Sequence, residues 1–532
     1  MSSGLTEQQS HSPLVLEQQL EERFHITAGF HPAQRDIIEH LISGKRVLAI
    51  QCTGWGKSLC YQMVSLYYPH LTIVFSPLKA LMRDQCQRCN EVYAIPSAIV
   101  SSEFTQNENI ETLEQAVAGK VKILFIAPER LDNASWQSCV QQMKISMIVI
   151  DEAHCISTWG HDFRPNYRRI MRLLTALPKN VPVLALTATA NKRVEADILQ
   201  QIGAEAEVIR GTMQRPNLYL HVEKLHGDYE KLSYLGEILP HVPGTGIIYT
   251  ATKREAEMVG TFLQQQDIVA EYYHSGREDN ERLTIQQGMM ADQYKVICST
   301  NALGMGIDKP NIRFIIHYQL PSSPIHYYQE MGRAGRDGKV SYCILLYDGA
   351  DLAVQEYFIQ SARPEGNCYE LVLSRLRQSP QGLRESDIML ATGLTHTAIR
   401  VIVADLEDQR FIKHNPRTHL YMAISRFGQL DFSAYDAIRF QKEQELKNMQ
   451  DYALTNGCYM HYLTSYLGDE QTYRCGACGY CHPYHFPTVR PSERIQGTVT
   501  RFLEKEFLPC SKNVGQKKAR CMRLVGPYPI TE

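Results

Sequence analysis

A glycine loop is the part of this sequence best suited to binding phosphate. The segment Thr53-Gly54-Trp55-Gly56-Lys57-Ser58 follows an apolar run, Val47–Gln51, and precedes a helical pattern. In that setting backbone N–H groups at the helix N-terminus bind phosphates, Lys57 reaches the β- and γ-phosphates of ATP, and the Ser58 hydroxyl is a ligand for Mg²⁺. An ordinary strand-to-helix turn is the alternative, because the strict motif has glycine where this chain has Gln51.

An acidic pair is the second candidate. Asp151 and Glu152 come directly after the apolar run Ile145–Ile150. The carboxyl ends of strands in parallel sheets lie beside the phosphate loop. We therefore predict that Asp151 holds Mg²⁺ and that Glu152 orients or activates the water that attacks the γ-phosphate. A solvated acidic strand end is the alternative.

Two arginines form the third candidate. Arg333 and Arg336 lie three residues apart in the glycine-bearing segment Gln329–Arg336. From a second lobe, both guanidinium groups can reach across a cleft and stabilise charge on a phosphoryl group in transfer. The alternative is a surface arginine pair.

These groups need a scaffold, and the hydrophobic pattern predicts two parallel sheets covered by helices. Strands of the first sheet are predicted at Val47–Gln51, Leu71–Ser76, Val121–Ala127, Ile145–Ile150 and Val183–Leu186. Those of the second are predicted at Gly246–Thr250, Val296–Ser299, Ile312–His317 and Val340–Leu346. We place the boundary near residue 212, beside the polar crossing Gln214–Asn217.

After Asp348 the pattern becomes helical. Residues 369–424 fit a winged helix, with Ile399, Ile402 and Leu406 on one apolar face of its recognition helix. The residues available for DNA contact are then His396, Arg400 and Arg410. A helix pair that packs between domains is the alternative.

A cysteine cluster near the C-terminus predicts a metal site. Cys458, Cys475, Cys478 and Cys481 have the spacing C-x16-C-x2-C-x2-C, which suits tetrahedral Zn²⁺ in a structural role. Cys86 and Cys89 share the short spacing, but no second pair is near them in the sequence. We interpret those two as buried or incidental.

Size and composition limit the class of protein. A chain of 532 residues is too long for one core, and its net charge of -2 gives no global signal for nucleic acid. We find no apolar stretch of membrane-spanning length, no hydrophobic signal core at the N-terminus, and 15 cysteines without a disulfide pattern. We expect a cytoplasmic protein of several domains that makes no membrane contact.

From about residue 20 to 350 the chain resembles the RecQ branch of superfamily-two helicases. The motifs that carry the resemblance are Phe30-His31-Pro32-Ala33-Gln34, the glycine loop, Ser76–Met82, Ala127–Leu131, Asp151-Glu152-Ala153-His154, Cys155–Pro165, Leu186–Ala190, Ser299–Pro310 and Gln329–Arg336. The cysteine spacing also matches the RecQ zinc module. Two positions depart from the family pattern, which has arginine at His31 and a small residue at Trp55.

The resemblance implies roles for further residues. Adenine and ribose contacts fall to Phe30, Gln34 and Asp308, and His154 joins the catalytic set. The residues expected to bind DNA and to couple its binding to ATP hydrolysis are Trp159, His161, Phe163, Arg164, Thr187 and Thr189. An aromatic loop of this kind, next to the acidic pair, can stack on bases. In the zinc module the first cysteine is expected to end a helix and the others to lie on a loop.

The fold class expected from these features is multidomain α/β. Two RecA-like parallel-sheet lobes are followed by a winged helix and a helical zinc-binding module. The predicted divisions are a flexible N-terminus 1–20, lobe one 21–211, lobe two 212–356, a winged-helix domain 357–432, the zinc module 433–488 and a C-terminal tail 489–532. We expect the tail to be solvated rather than bound to DNA phosphates. The winged helix precedes the zinc module here, whereas it follows in the commonest RecQ architecture.

The function implied is that of an ATP-dependent 3′–5′ DNA helicase in repair and recombination, with ATP, Mg²⁺ and Zn²⁺ as cofactors. Single-stranded and tailed duplex DNA are the expected partners, with single-strand-binding and repair proteins. A chromosome-associated monomer is expected. Two alternatives remain open: an ATP-dependent RNA helicase or non-unwinding translocase, and a non-catalytic DNA-binding regulator.

Overall fold

The structure, a computed structural model, describes residues 13–507 apart from 158–166, 179, 304–308, 416–417, 425–427, 470 and 487. Its contacts divide the chain into two units. One unit combines the residues before 350 with those from 448 onward, and the other comprises Ala350–Lys447. The predicted start of the third domain, at residue 357, falls inside a helix of the second unit and is therefore corrected to the region of residue 350.

Lobe one is a parallel sheet of seven strands in the order β3-β4-β2-β5-β6-β1-β7. The strands are β1 Arg46–Ile50, β2 Leu71–Phe75, β3 Ser97–Val100, β4 Ile123–Ile126, β5 Ile145–Ile150, β6 Val183–Thr187 and β7 Glu207–Arg210. Its helices are α1 Pro13–Glu22, α2 Pro32–Ile42, α3 Lys57–Tyr67, α4 Lys79–Glu91, α5 Gln106–Val117, α6 Ala134–Val140, α7 Tyr167–Ala176 and α8 Lys192–Ile202. Since β6 separates β5 from β1, its carboxyl end stands between the acidic pair and the glycine loop.

Lobe two is a parallel sheet of six strands in the order β10-β11-β9-β12-β13-β8. The strands are β8 Leu218–Lys224, β9 Thr245–Tyr249, β10 Ala270–Tyr273, β11 Val296–Ser299, β12 Ile312–His317 and β13 Ser341–Tyr347. Its helices are α9 Gly227–Ile238, α10 Lys253–Gln264, α11 Asp279–Met290 and α12 Pro324–Met331. The predicted boundary near residue 212 lies in the linker between β7 and β8, residues 211–217.

The strands that the sequence pattern missed lie at the sheet edges. β3 and β7 each flank lobe one, and β8 and β10 each flank lobe two. An edge strand is covered less completely, so its sequence is not a continuous apolar run. β7 illustrates this, since none of its four residues is buried.

The second unit contains α13 Leu352–Ser361, α14 Gly366–Arg377, α15 Glu385–Thr392, α16 His396–Asp408, the hairpin β14 Ile412–Asn415 with β15 Leu420–Ala423, and the first part of α17 Ser433–Leu454. Leu383 forms an isolated bridge with Tyr421, so a third short strand segment joins the hairpin. Three helices with such a hairpin make a winged helix. Its core includes Ile399, Ile402 and Leu406, the apolar face predicted for α16.

The rest of the first unit comprises the end of α17, then α18 Tyr459–Tyr466 and α19 Glu493–Phe507. The prediction of a C-terminal tail from residue 489 is wrong for α19. Ile495, Val499 and Phe502 are buried in the core of lobe two, where α19 packs on α9. Apolar residues at positions 495, 499 and 502 fit a helical spacing that the sequence analysis overlooked.

Among the described helices, none is by itself long and apolar enough to cross a membrane. α15 and α16 pass that test only as a pair, and the pair is bent by 113°.

Candidate nucleotide-binding cleft and zinc centre

The glycine loop runs from the end of β1 into α3. Gly56 is the N-cap of α3 at a φ of 90°, a left-handed conformation that a side chain would strain. A Cβ atom there would also lie 2.9 Å from Nε2 of Gln34. Lys57, the first residue of α3, donates from Nζ to the carbonyl oxygen of Gln51 at 3.2 Å. The N–H groups at the start of α3 and the Lys57 ammonium therefore lie together and suit an anion.

Lys57 is electrostatically linked to the acidic pair. Burial lowers the pKa of Lys57, and the charges of Glu152 and Asp151 act against that shift. The charge of Arg336, from lobe two, lowers the pKa further. The structure thus brings the predicted lysine, both carboxylates and an arginine of the other lobe into one charged group.

Asp151 and Glu152 differ in their surroundings. Asp151 accepts a hydrogen bond from Ser76 Oγ at 3.1 Å, and burial together with the Glu152 charge raises its pKa to about 6. Burial alone would raise the pKa of Glu152 as well, but contact with His154 and the charges of His154, Lys57 and Arg333 lower it to about 2. Glu152 also has a φ of 48°, a strained conformation for a residue other than glycine.

A chain of polar contacts leads from Glu152 to lobe two. Nδ1 of His154 lies 3.3 Å from Glu152 Oε2 and 3.1 Å from Thr187 Oγ1. Thr187 Oγ1 accepts a hydrogen bond from the Thr189 backbone N–H at 3.1 Å. Gln329 of α12 then donates from Nε2 to Thr189 Oγ1 at 3.2 Å. His154, Thr187 and Thr189 are buried, and Glu152 and Gln329 are half-buried, so this series of polar contacts is shielded from solvent.

The two predicted arginines lie on the lobe-two side of the same cleft. Arg333 is 8% exposed. Burial raises the pKa of Tyr249 to about 12 and the Arg333 charge offsets part of that rise, while the same charge helps to lower the pKa of Glu152. The side chain of Arg336 packs against the glycine loop, since a Cβ atom on Gly54 would lie 3.6 Å from its Cγ. Both guanidinium groups therefore belong to the neighbourhood of the loop rather than to an outer surface.

Two buried atoms test whether a nucleotide, a water and a metal fit this cleft. Arg333 Nε has no hydrogen-bond partner among the described residues, and the buried Glu152 Oε2, with the His154 ring at 3.3 Å, can accept a further hydrogen bond. A buried polar atom left unpaired costs about 1–3 kcal/mol, so partners are expected there. An attacking water suits the carboxylate oxygen, and a phosphate oxygen suits the guanidinium N–H. Asp151 and the Ser58 hydroxyl are oxygen ligands of the kind that Mg²⁺ takes.

Arg215 is a residue of this cleft that the sequence analysis did not single out. It lies in the interlobe linker and donates to the backbone oxygens of Thr53 at 3.0 Å and Ala334 at 2.9 Å. The available signal was an arginine within the polar, proline-containing crossing between the two sets of strands. Sequence spacing did not show that this crossing passes between the glycine loop and the arginine segment.

The cysteine cluster forms a compact centre next to α18. The Sγ atoms of Cys458, Cys475, Cys478 and Cys481 all lie within 4.8 Å of one another. Tetrahedral Zn–S bonds of about 2.3 Å place sulfur atoms about 3.8 Å apart, so the four thiols fit one zinc ion. Cys458 is the N-cap of α18, which corrects the expectation that it ends a helix.

Backbone donors support the same assignment. The N–H groups of Cys475, Ala477 and Cys478 donate to the Sγ atoms of Cys458 or Cys475, at 3.3 to 3.5 Å. Such bonds stabilise thiolates, the form that binds metal. With four sulfur ligands and no open position, the centre suits a structural role.

Comparison with known families agrees with both sites. Residues 31–198 match the DEAD/DEAH box helicase family, and residues 230–338 match the helicase conserved C-terminal domain. Residues 409–482 match the RecQ zinc-binding family, which includes the four cysteines. The chain belongs to the RecQ family of DNA helicases.

Relatives agree with this assignment. The chain is 37% identical to the probable ATP-dependent DNA helicase RecS of Bacillus subtilis, over 73% of this chain and 78% of that protein. It is 32% identical to the ATP-dependent DNA helicase RecQ of the same organism, over 90% of this chain and 69% of that protein. The match to the ATP-dependent helicase SGS1 of Saccharomyces cerevisiae is 37% identical but spans only 24% of that protein.

Solved structures share the fold. Saccharomyces cerevisiae Dbp5 bound to RNA and ADP BeF3 aligns with a TM-score of 0.52 and 21% identity, covering 65% of this chain and 91% of that one. The DUF1998 helicase MrfA bound to DNA aligns with a TM-score of 0.52 and 18% identity, covering 79% and 63%. At these identities the likeness shows the two-lobed helicase fold and nothing finer.

The two departures from the RecQ pattern contact each other. The rings of His31 and Trp55 stack with centroids 5.9 Å apart and an interplanar angle of 24°. Trp55 and Phe30 both pack against the core of lobe one. Gln34 accepts from the His31 N–H at 3.0 Å and donates to the backbone oxygen of Trp55 at 3.2 Å. The predicted adenine-reading segment is therefore joined to the glycine loop by polar and ring contacts.

Some predicted RecQ residues lie outside the described part of the chain. These are Trp159, His161, Phe163 and Arg164 of the aromatic loop, and Asp308. Their assignment continues to rest on the sequence motifs.

The winged helix presents less free positive charge than the sequence suggested. On α16, His396 and Arg400 are both exposed, and both lie near one carboxylate, Glu385, at 3.0 and 3.4 Å. Exposed pairs of this kind are weak, so phosphate can displace the carboxylate. DNA contact by these residues and by Arg410 stays a prediction.

Proposed function

We propose that this protein is an ATP-dependent helicase that moves 3′ to 5′ along single-stranded DNA and unwinds tailed duplexes during repair and recombination. ATP is hydrolysed in the cleft between the two lobes. The observation that carries the proposal is the meeting of Lys57, Asp151 and Glu152 from lobe one with Arg333 and Arg336 from lobe two. Hydrolysis then depends on the position of one lobe relative to the other, and a translocating motor requires this dependence.

Each residue has a task in hydrolysis. Lys57 and the N–H groups at the start of α3 bind the β- and γ-phosphates. A magnesium ion held by Ser58 and Asp151 would neutralise phosphate charge. Glu152 orients the attacking water and accepts its proton, and Arg333 and Arg336 stabilise the charge that develops on the phosphoryl group.

The polar chain from Glu152 through His154, Thr187 and Thr189 to Gln329 supports a link between hydrolysis and lobe movement. Its last hydrogen bond crosses from lobe one to lobe two. Opening of the cleft breaks that bond and alters the environment of Glu152 through His154. The aromatic loop, Cys155–Pro165, directly follows His154 in sequence and is the proposed sensor of bound DNA.

The test is unwinding of matched duplexes with a 3′ or a 5′ single-stranded tail, in DNA and in RNA, with Mg²⁺ and ATP. We expect opening of the 3′-tailed DNA duplex and stimulation of ATP turnover by DNA more than by RNA. Lys57→Ala should abolish both activities. Lys45→Ala is the matched control, because Lys45 is an exposed lysine whose partner is the surface residue Glu207.

Other outcomes of this experiment would contradict a part of the proposal. Opening of only the 5′-tailed duplex contradicts the polarity, and equal activity on RNA favours a general nucleic-acid motor. Tight DNA binding without ATP turnover supports the non-catalytic regulator. Unchanged turnover in Lys57→Ala removes the cleft as the site of hydrolysis.

The partners proposed are single-stranded and tailed DNA, with single-strand-binding and repair proteins acting on the same substrates. A monomer in the cytoplasm, associated with the chromosome, is sufficient for this activity, since both halves of the cleft come from one chain.

A further inference from the structure

Arg215 is buried in the linker that joins the two motor lobes, with only 8% of its surface exposed. Its Nη1 donates to Thr53 O at 3.0 Å, Thr53 Oγ1 at 3.2 Å and Gly332 O at 3.3 Å. Its Nη2 donates to Ala334 O at 2.9 Å and Gly335 O at 3.2 Å. One guanidinium group is thus bonded to five neutral oxygens, on both sides of the cleft.

These acceptors have a specific place in the cleft. Thr53 begins the glycine loop, whereas Gly332 and Ala334 are the immediate neighbours of Arg333. Thr53 Oγ1 donates to Gly332 O at 3.2 Å. A Cβ atom on Gly332 would lie only 2.2 Å from Thr53 Oγ1. The loop and the arginine segment are therefore in direct contact, and Arg215 holds the backbone on either side of Arg333.

The linker is itself fixed at its other end. Asp469, just after α18, accepts from Thr212 Oγ1 at 3.2 Å and from the Met213 N–H at 3.3 Å. Tyr328 of α12 donates from its hydroxyl to the Met213 carbonyl at 2.6 Å. With the preceding residues anchored in this way, the position of the Arg215 side chain is determined by the surrounding fold.

We propose that Arg215 is a positioning residue for ATP hydrolysis, which sets Arg333 against the glycine loop through backbone hydrogen bonds and does not itself touch the nucleotide. This rests on the proposed function, because it needs Arg333 to act on the phosphoryl group. A guanidinium group is suited to the task, since its planar fork of donors reaches several carbonyls at once. An ammonium group has one nitrogen and cannot span the same acceptors.

The first test measures DNA-stimulated ATP turnover and nucleotide affinity separately. Arg215→Ala should lower kcat by about 10- to 100-fold, a part of the 10³- to 10⁵-fold effect of an arginine finger. Nucleotide affinity should change by less than about threefold, because phosphate binding by Lys57 and the start of α3 is untouched. Arg215→Lys should retain the charge and recover only part of kcat.

The matched control is Arg46→Ala. Arg46 also donates from Nη1 to a backbone oxygen, that of Ile202 at 2.6 Å, but at the opposite end of β1. Its kcat should stay close to that of the unaltered protein. If thermal unfolding shows that Arg215→Ala is not folded, Arg215→Lys carries the comparison, since it keeps a long cationic side chain in place.

A double-variant cycle separates positioning from general support. Because Arg215 is argued to act through Arg333, adding Arg215→Ala to Arg333→Ala should cause little further loss of kcat. Multiplying losses would overturn the proposal, and so would a loss of affinity as large as the loss of kcat. Failure of the proposed function would be recognised differently, by ATP turnover that persists in Lys57→Ala.

Discussion

Asp151 and Glu152 are adjacent in the chain, yet their surroundings push their pKa values apart. Burial and the neighbouring charge raise the pKa of Asp151 to about 6, whereas His154, Lys57 and Arg333 outweigh the effect of burial on Glu152 and lower its pKa to about 2. Two neighbouring carboxyl groups with separated pKa values can take different roles, and those proposed here are a metal ligand for Asp151 and a base for Glu152. At the residue scale, the difference is set by a neighbour in the sequence, His154, together with residues from other elements, Ser76, Lys57 and Arg333.

The role of Glu152 leads to a kinetic prediction. Glu152→Gln removes the proton acceptor but keeps the size of the side chain, so ATP turnover should fall by about 10²- to 10⁴-fold while nucleotide binding is retained. Steady-state turnover and equilibrium binding of ATP measure the two effects. Glu207→Gln, at the surface partner of Lys45, is the control and should turn over normally. Normal turnover in Glu152→Gln would contradict the assignment.

The raised pKa of Asp151 leads to a prediction about stability and pH. The folded state disfavours the charged form, so metal-free protein loses stability as pH rises from about 4 through about 6. Asp151→Asn removes that cost and should stabilise metal-free protein at pH 7.5 by about 1–3 kcal/mol, although we expect it to abolish ATP turnover.

Thermal unfolding at several pH values checks this prediction. A rise in Tm of a few degrees is expected at pH 7.5, and the gain should shrink towards pH 4, where wild-type Asp151 is protonated when folded. An equal gain at both pH values would show that the cause is not the charge of Asp151.

At the scale of elements, α19 changes the account of the C-terminal region. Val499 is fully buried, and the ring of Phe502 lies 5.4 Å from that of Phe262 in a T-shaped contact. This helix completes the core of lobe two although more than 140 residues separate it from β13, the last strand of that sheet. Lobe two is consequently built from two distant parts of the sequence.

Shortening one side chain of α19 tests that conclusion. Phe502→Ala should destabilise lobe two by about 3–5 kcal/mol, because it leaves a cavity in a closed core. Thermal or denaturant unfolding of the intact chain measures the loss. Arg501→Ala, at an exposed neighbour on the same helix, is the control and should change stability by less than about 0.5 kcal/mol. An equally small effect of Phe502→Ala would mean that α19 does not belong to the core.

At the scale of the whole molecule, the zinc module contacts the interlobe linker and both lobes. Arg210, at the end of β7, donates to the Leu467 backbone oxygen at 2.7 Å, and Asp469 binds the linker. Tyr452 lies on Tyr327 of α12 with ring centroids 5.1 Å apart. The module therefore supports both the interlobe linker and the helix that bears Gln329.

Loss of zinc should accordingly lower the ATP turnover of the two lobes. Cys475→Ser should lose the bound zinc and lower DNA-stimulated ATP turnover by about tenfold, equivalent to about 1.4 kcal/mol of transition-state stabilisation. Nucleotide binding by lobe one should persist. Zinc content, turnover and nucleotide binding are the three measurements, and Cys139→Ser, outside the cluster, is the control. Unchanged turnover in a zinc-free variant would separate the module from the motor.

The sequence by itself determined the motor motifs, the zinc ligands, the central strands and the winged helix. Each of these depends on a local pattern: a glycine loop between a strand and a helix, a cysteine spacing, or an apolar run long enough to fill the middle of a sheet. Local patterns suffice when neighbouring residues perform the function together.

Only the tertiary structure decided what depends on distant residues. It placed α19 in lobe two, stacked His31 on Trp55, separated the pKa values of Asp151 and Glu152, and put Arg215 between the glycine loop and the arginine segment. These effects arise from ring packing, burial and hydrogen bonding, mostly by residues remote in sequence, and spacing along the chain carries no record of those distances.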